Sequence, residues 1–284
     1  MQVYEELHRG LRHPDLLHED AILLPSIFHT YWQALWRDDP RTAQQEWCAP
    51  RNLRATHRIW EYVQVLACLY YALPDLRDRR ILSLGAGVES PLWTLARWGA
   101  DVTATDIYFE KRYWHPEQTL AIKTDPSRFC PYSEPYPVTF KNLNLKRRNL
   151  RSLLAWSRLA QYDAIYSISS LEHVYGVQRR VAVQLDRRVV RKKLGLFRRV
   201  ARHLNAGGVL VFTTELITRY TEKRRLDFYT REELELVLET LGAEGLTLVD
   251  DLDWGTMEEQ QLQTRDTPGQ WHTAVAIALR KGPG

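Results

Sequence analysis

The stretch Ile81-Leu82-Ser83-Leu84-Gly85-Ala86-Gly87-Val88-Glu89-Ser90 constrains this chain more than any other. It reads as a buried strand, then a glycine turn, then the first turn of a helix. Twenty-one positions beyond Gly85, the apolar run Val102-Thr103-Ala104-Thr105 ends in Asp106. A glycine turn between strand and helix lets a ligand approach the backbone closely. A carboxylate about 20 positions further on accepts hydrogen bonds from ribose hydroxyls. Together they predict an adenosine-type cofactor at the carboxyl ends of two adjacent parallel strands.

The surrounding pattern extends this unit into a fold. Apolar positions Ile59, Tyr62, Val63, Leu66, Leu69 and Tyr70 recur at helical spacing between about Asn52 and Ala72, and Pro74 closes that helix. Strands and helices then alternate. Strands are expected at 81–84, 102–105, 138–141, 163–168 and 209–213, with helices near 90–98, 148–158 and 230–241 and a long one ending near Leu204. Such alternation predicts a parallel sheet with helices on both faces. Leu246–Val249 and His272–Leu279 have no helix between them, which predicts an antiparallel hairpin at the sheet edge. The expected architecture is α/β: a Rossmann-like, doubly wound, seven-stranded sheet over 79–284, preceded by a helical cap segment over 1–78.

At 284 residues the chain is long enough for a sizeable core. No apolar run approaches the roughly 18 residues of a membrane span, and Met1–Glu6 lacks the features of a signal peptide. The three cysteines, Cys48, Cys68 and Cys130, have neither zinc nor disulfide spacing. No metal ligands are expected, and the chain reads as cytoplasmic. The formal net charge of +4 is unevenly distributed. Ala182, Leu185, Val189, Leu196 and Val200 form one face of a helix over 179–202, and Arg187, Arg191, Arg198 and Arg202 form another. That basic face suits an anionic partner such as a nucleic acid, or a solvated surface paired with the acidic C-terminal region.

The glycine turn distinguishes between nucleotide cofactors. A dinucleotide site calls for G-x-G-x-x-G facing a pyrophosphate. Here Ser90 stands at the third glycine position, and Glu89 lies in the first helical turn. A carboxylate there repels pyrophosphate and favours a cationic, amine-bearing ligand. This disfavours a nicotinamide-dependent oxidoreductase.

The order of motifs resembles that of class I S-adenosylmethionine-dependent methyltransferases, in particular the small-molecule branch typified by methyltransferase types 11 and 25. Ile81–Gly87 resembles their first motif, and Thr105-Asp106-Ile107 the acidic end of their second strand. Tyr162-Asp163-Ala164-Ile165-Tyr166-Ser167-Ile168-Ser169-Ser170-Leu171-Glu172-His173-Val174 is similar to their fourth strand and the loop after it. Leu204-Asn205-Ala206-Gly207-Gly208-Val209 resembles the turn into their fifth strand. The resemblance covers about Arg80 to Lys281. It implies S-adenosylmethionine as cofactor, held by Gly85, Ala86, Gly87, Glu89, Asp106, Ile107, Asn144, Leu145 and Ser169. Asn144 stands where the family often has an acidic residue facing the adenine amine, and its amide oxygen also accepts that bond.

Methyl transfer from a sulfonium depends mainly on alignment. His173 is the candidate base and Glu172 its companion, in the loop where the family meets its acceptor. That loop lacks the Asn/Asp-Pro-Pro-aromatic motif of base-amine methylation and the cysteine of cytosine C5 chemistry. A small-molecule or glycan-like acceptor remains, with a nucleic-acid-binding methyltransferase or basic adaptor as the alternative. The long aromatic segment from Tyr108 to Pro137 is the candidate acceptor loop, with Tyr108, Trp114 and His115 as its contacts.

Overall fold

The computed structural model describes residues 53–73, 75–108, 122–130, 136–146, 150–175, 181–182, 187–219, 223–224, 227–252, 254, 262–263 and 271–283. Among them the strands are β1 (Arg80–Leu84), β2 (Asp101–Asp106), β3 (Val138–Asn142), β4 (Tyr162–Ile168), β5 (Val181–Ala182), β6 (Leu204–Arg219), β7 (Lys223–Arg224), β8 (Leu246–Leu248), β9 (Leu262–Gln263) and β10 (Trp271–Lys281). The longer helices are α1 (Leu53–Ala72), α2 (Pro91–Arg97), α3 (Leu150–Ser157), α4 (Arg187–Arg202) and α5 (Arg231–Ala243), and a short 3-10 helix spans Pro126–Phe129.

The main sheet runs β3-β2-β1-β4-β6-β10-β8, with β9 added beside β10. The pairs from β3 to β6 are parallel. β10 lies antiparallel to both β6 and β8. The expected edge hairpin is therefore present, with β10 inserted between β6 and β8. Strand order reverses between β1 and β4. The crevice at their carboxyl ends is the place where open α/β sheets bind ligands.

Two-residue alternation along the central strands divides the core. Ile81, Ala164, Tyr166, Val209 and Val211 face one side, with Leu66, Leu69 and Leu92 of α1 and α2. Leu82, Leu84, Ile165, Leu210 and Phe212 face the other, with Trp156, Leu196, Phe197, Leu234 and Leu241 of α3, α4 and α5. α5 starts at a capping box, in which Thr230 Oγ1 accepts from the Glu233 N–H at 3.3 Å and Glu233 Oε2 accepts from the Thr230 N–H at 3.1 Å.

Two boundaries differ from the sequence expectation. β6 begins at Leu204 rather than after the glycines, and it runs on to Arg219 because β10 pairs with it over that length. Gly208 sits inside it, where a Cβ would lie 2.9 Å from the Asn205 carbonyl oxygen and 3.0 Å from that of Asp163. The basic helix starts at Arg187, and Ala182 belongs to the short pair β5–β7. Leu185, Arg179 and Arg180 fall outside the described residues. In α4, Val190, Leu196, Phe197 and Val200 are buried, while Arg191, Lys192, Arg198 and Arg202 are exposed. Arg202 Nε lies 3.4 Å from Glu244 Oε2. Among the described residues no helix is long and apolar enough to cross a membrane.

Candidate active site

The turn after β1 packs directly on the turn after β4. Gly85 and Gly87 have left-handed backbones, φ +67° and +50°. A Cβ on Gly85 would lie 2.5 Å from the Ser170 Cβ, so only glycine fits there. Ser170 Oγ donates to the Gly85 carbonyl at 3.1 Å. The β4 turn continues from that contact, with the His173 N–H donating to the Ser170 carbonyl at 3.2 Å.

Asp106 closes the turn from the other side. Its Oδ2 accepts the Gly87 N–H at 2.8 Å and its Oδ1 accepts the Ile107 N–H at 2.6 Å. Burial raises its pKa, opposed by the hydrogen bonds from Ile107 and Gly87. A carboxylate offers about four lone-pair positions. The two N–H groups use half of them and leave acceptor capacity for ribose hydroxyls, so the residue present fits an adenosyl ligand. Tyr108 is buried beneath this turn, and its hydroxyl donates to the Gly87 carbonyl at 2.8 Å. Its hydroxyl is thus engaged in shaping the glycine turn. The Glu89 charge, after burial, is among the causes that raise the Tyr108 and Tyr166 hydroxyls.

Other residues singled out in the sequence carry local structural duties. The Asn144 Oδ1 accepts the Lys146 N–H at 2.9 Å, which shapes the loop after β3. Leu145 is buried against the Trp156 side of the core. Ser169 has a left-handed backbone, φ +41°. Its hydroxyl donates to Oε1 of Glu61 on α1, and its N–H donates to Thr213 Oγ1 at 3.1 Å. Thr213 Oγ1 in turn donates to Glu61 Oε1 at 2.9 Å. Trp114 and His115 lie outside the described residues.

Beyond Ser170 comes a group of ionisable side chains. Glu172 is wholly buried, whereas His173 is exposed. His173 Nδ1 lies 3.3 Å from Oδ2 of the buried Asp227, and Nε2 lies 3.7 Å from Glu172 Oε1. Burial pushes the Glu172 carboxyl well above the usual carboxylate range, and the nearby Glu215 and Glu61 push it further. Asp227 reaches the site because the segment before α5 docks on β6, where Tyr229 N–H donates to the Glu215 carbonyl at 3.0 Å.

A model of the methyltransferase-domain family matches residues 41–248. This chain belongs to the methyltransferase family. It is an enzyme of the S-adenosylmethionine-dependent class. No curated protein sequence matches the chain. Among solved structures, magnesium protoporphyrin IX methyltransferase (ChlM) from Synechocystis PCC 6803 with bound SAM is 14% identical, with a TM-score of 0.48 over 90% of this chain and 96% of that one. The [4+2]-cyclase SpnF is 17% identical, with a TM-score of 0.47 over 82% of this chain and 84% of that one. An S-adenosylmethionine-dependent methyltransferase from Clostridium acetobutylicum ATCC 824 is 12% identical, with a TM-score of 0.45 over 90% and 98% of the two chains.

Glu61, Glu215 and Asp227 are functional candidates that sequence reasoning missed. Each is an isolated acidic residue in its own stretch. The only available signal was that Glu61 falls on the apolar face of a helix, where an ionisable group needs a reason to be buried.

Proposed function

We propose that this methyltransferase acts on a small-molecule or glycan-like acceptor that meets the methyl group beside Glu172 and His173. The carrying observation is the contact of Ser170 with Gly85, which abuts the His173 turn on the glycine turn. Gly85, Ala86, Gly87, Glu89, Asp106 and Ile107 would hold S-adenosylmethionine, with Asp106 taking the ribose hydroxyls. When bound, that cofactor supplies the methyl group as an electrophile.

The chain's own residues prepare the nucleophile. An ionised Asp227 only accepts hydrogen bonds, so it favours the proton on His173 Nδ1. The Nε2 lone pair then faces Glu172 and the acceptor side. Nε2 is thereby equipped to take a proton or to hold a cation. Glu61 acts further back, since it holds Ser169 and Thr213 and so fixes where the turn begins.

The test is incubation with labelled S-adenosylmethionine and separate fractions of small metabolites, glycans and RNA. Label is expected in a metabolite or glycan fraction, and to fall sharply with His173→Ala. Label confined to RNA would overturn the acceptor reading and favour the basic helix as a nucleic-acid surface.

A further inference from the structure

We propose that Glu172, His173 and Glu215 form a binding site for a divalent metal cation, and that this cation binds a hydroxyl of the acceptor. The inference deepens the functional reading above and rests on it.

Three observations converge. One ligand atom from each of the three residues lies within 4.8 Å of the other two. Ligands held at about 2.0–2.2 Å from a metal stand roughly 3–4 Å apart, so a small contraction closes the site. Second, His173 is oriented as a ligating histidine is. Its Nδ1 lies 3.3 Å from the buried carboxylate of Asp227, which leaves Nε2 toward Glu172. A carboxylate behind the far ring nitrogen is the usual support of a metal-bound imidazole. Third, Glu172 is wholly buried, among the described residues no N–H or hydroxyl donates to either of its oxygens, and the carboxyl of Glu215 is its neighbour. Buried carboxylates are retained where a cation or a proton joins them.

One imidazole and two carboxylates suit manganese, iron or zinc as divalent ions rather than a thiophilic metal. Three protein ligands leave coordination positions open for an acceptor. A bound cation lowers the pKa of a hydroxyl attached to it. The acceptor is therefore an alcohol or phenol. Its proton leaves to water, its oxygen lone pair forms the new bond to the methyl carbon, and the carbon–sulfur bond breaks. The electron pair of that bond returns to sulfur, which gives neutral S-adenosylhomocysteine. His173 then acts as a ligand, and no protein base is needed.

The experiment uses the full chain, stripped with a chelator and titrated with Mn2+, with bound manganese read by electron paramagnetic resonance. S-adenosylhomocysteine binding is measured on the same samples by calorimetry. We expect one Mn2+ per chain. Glu172→Gln, Glu215→Gln and His173→Ala should each weaken it at least about tenfold, and Asp227→Asn about tenfold. Arg198→Gln on the outer face of α4 should leave it unchanged. Retained S-adenosylhomocysteine binding in each variant shows that the fold is intact. A wild-type chain that binds S-adenosylhomocysteine but neither Mn2+, Mg2+ nor Zn2+ would overturn the metal site, leaving Glu172 and Glu215 to share a proton. Binding equally strong in all variants would also overturn it. Mn2+ binding at these residues without S-adenosylhomocysteine binding would support the site and overturn the functional reading instead.

Discussion

The backbone N–H of Gly87 donates to Oδ2 of Asp106 at 2.8 Å, and this bond ties the turn after β1 to the end of β2. The same carboxylate is the candidate ribose acceptor. Asp106→Ala should therefore weaken S-adenosylmethionine binding by about 1–3 kcal/mol, the usual cost of losing charge-assisted hydrogen bonds. Calorimetric titration of both proteins measures it. Equal affinities would remove Asp106 from the cofactor site.

Binding should also depend on pH through this group. Burial raises the Asp106 pKa in the folded protein, so the fold alone favours its protonated form. That contribution to stability is complete below the unfolded pKa and is lost as pH rises through the folded one. Ribose hydroxyls instead favour the ionised form. Cofactor affinity should rise as pH climbs through the raised pKa and then level off. Asp106→Asn should flatten that rise, and a profile unchanged by the substitution would assign it to another group.

Gly85 is held by both conformation and space. Gly85→Ala places a methyl 2.5 Å from the Ser170 Cβ at φ +67°. Left-handed strain alone costs about 1–3 kcal/mol, and the clash adds to it. In urea unfolding, Ser170→Gly should relieve the steric part in the double variant. No relief would mean that backbone conformation alone requires glycine.

How far the sequence reveals this site depends on how local each signal is. Gly85, Gly87 and Asp106 stand out because a strand, a turn and a following strand end leave a contiguous pattern. The Ser169–Glu172 turn is visible because it directly follows a buried strand. Glu61 escapes because it meets Ser169 and Thr213 across separations of 108 and 152 residues. Asp227 and Glu215 likewise join His173 only once the segment before α5 docks on β6. The end of β6 is hidden for a related reason, since its pairing with β10 sets its length.

The Glu61 contacts can be tested for their role in the fold. Glu61→Ala leaves the Ser169 and Thr213 hydroxyls without their buried acceptor, which should destabilise the protein by about 1–3 kcal/mol. Glu61→Gln keeps an acceptor oxygen and should cost less. Denaturant midpoints compare the two. If the Gln variant is the less stable of the pair, Glu61 works through its charge instead.

Cys68 lies wholly inside the face of the core that α1 covers, and burial pushes its thiol up to about 12. Only the thiolate is nucleophilic. Native protein at pH 8 should therefore leave Cys68 unalkylated, while denatured protein labels it fully. Peptide mapping reads the difference. Rapid native labelling would mean that α1 opens from the sheet.

Calorimetric titration of the wild-type chain, Asp106→Ala and His173→Ala with S-adenosylmethionine, S-adenosylhomocysteine and NAD tests the central claim most directly. The wild type should bind the first two with one site per chain and should not bind NAD. Asp106→Ala should bind both more weakly, and His173→Ala should bind them as the wild type does, because His173 belongs to the acceptor side. NAD binding without S-adenosylmethionine binding would contradict the assignment of the glycine turn and Asp106 to a methyl donor.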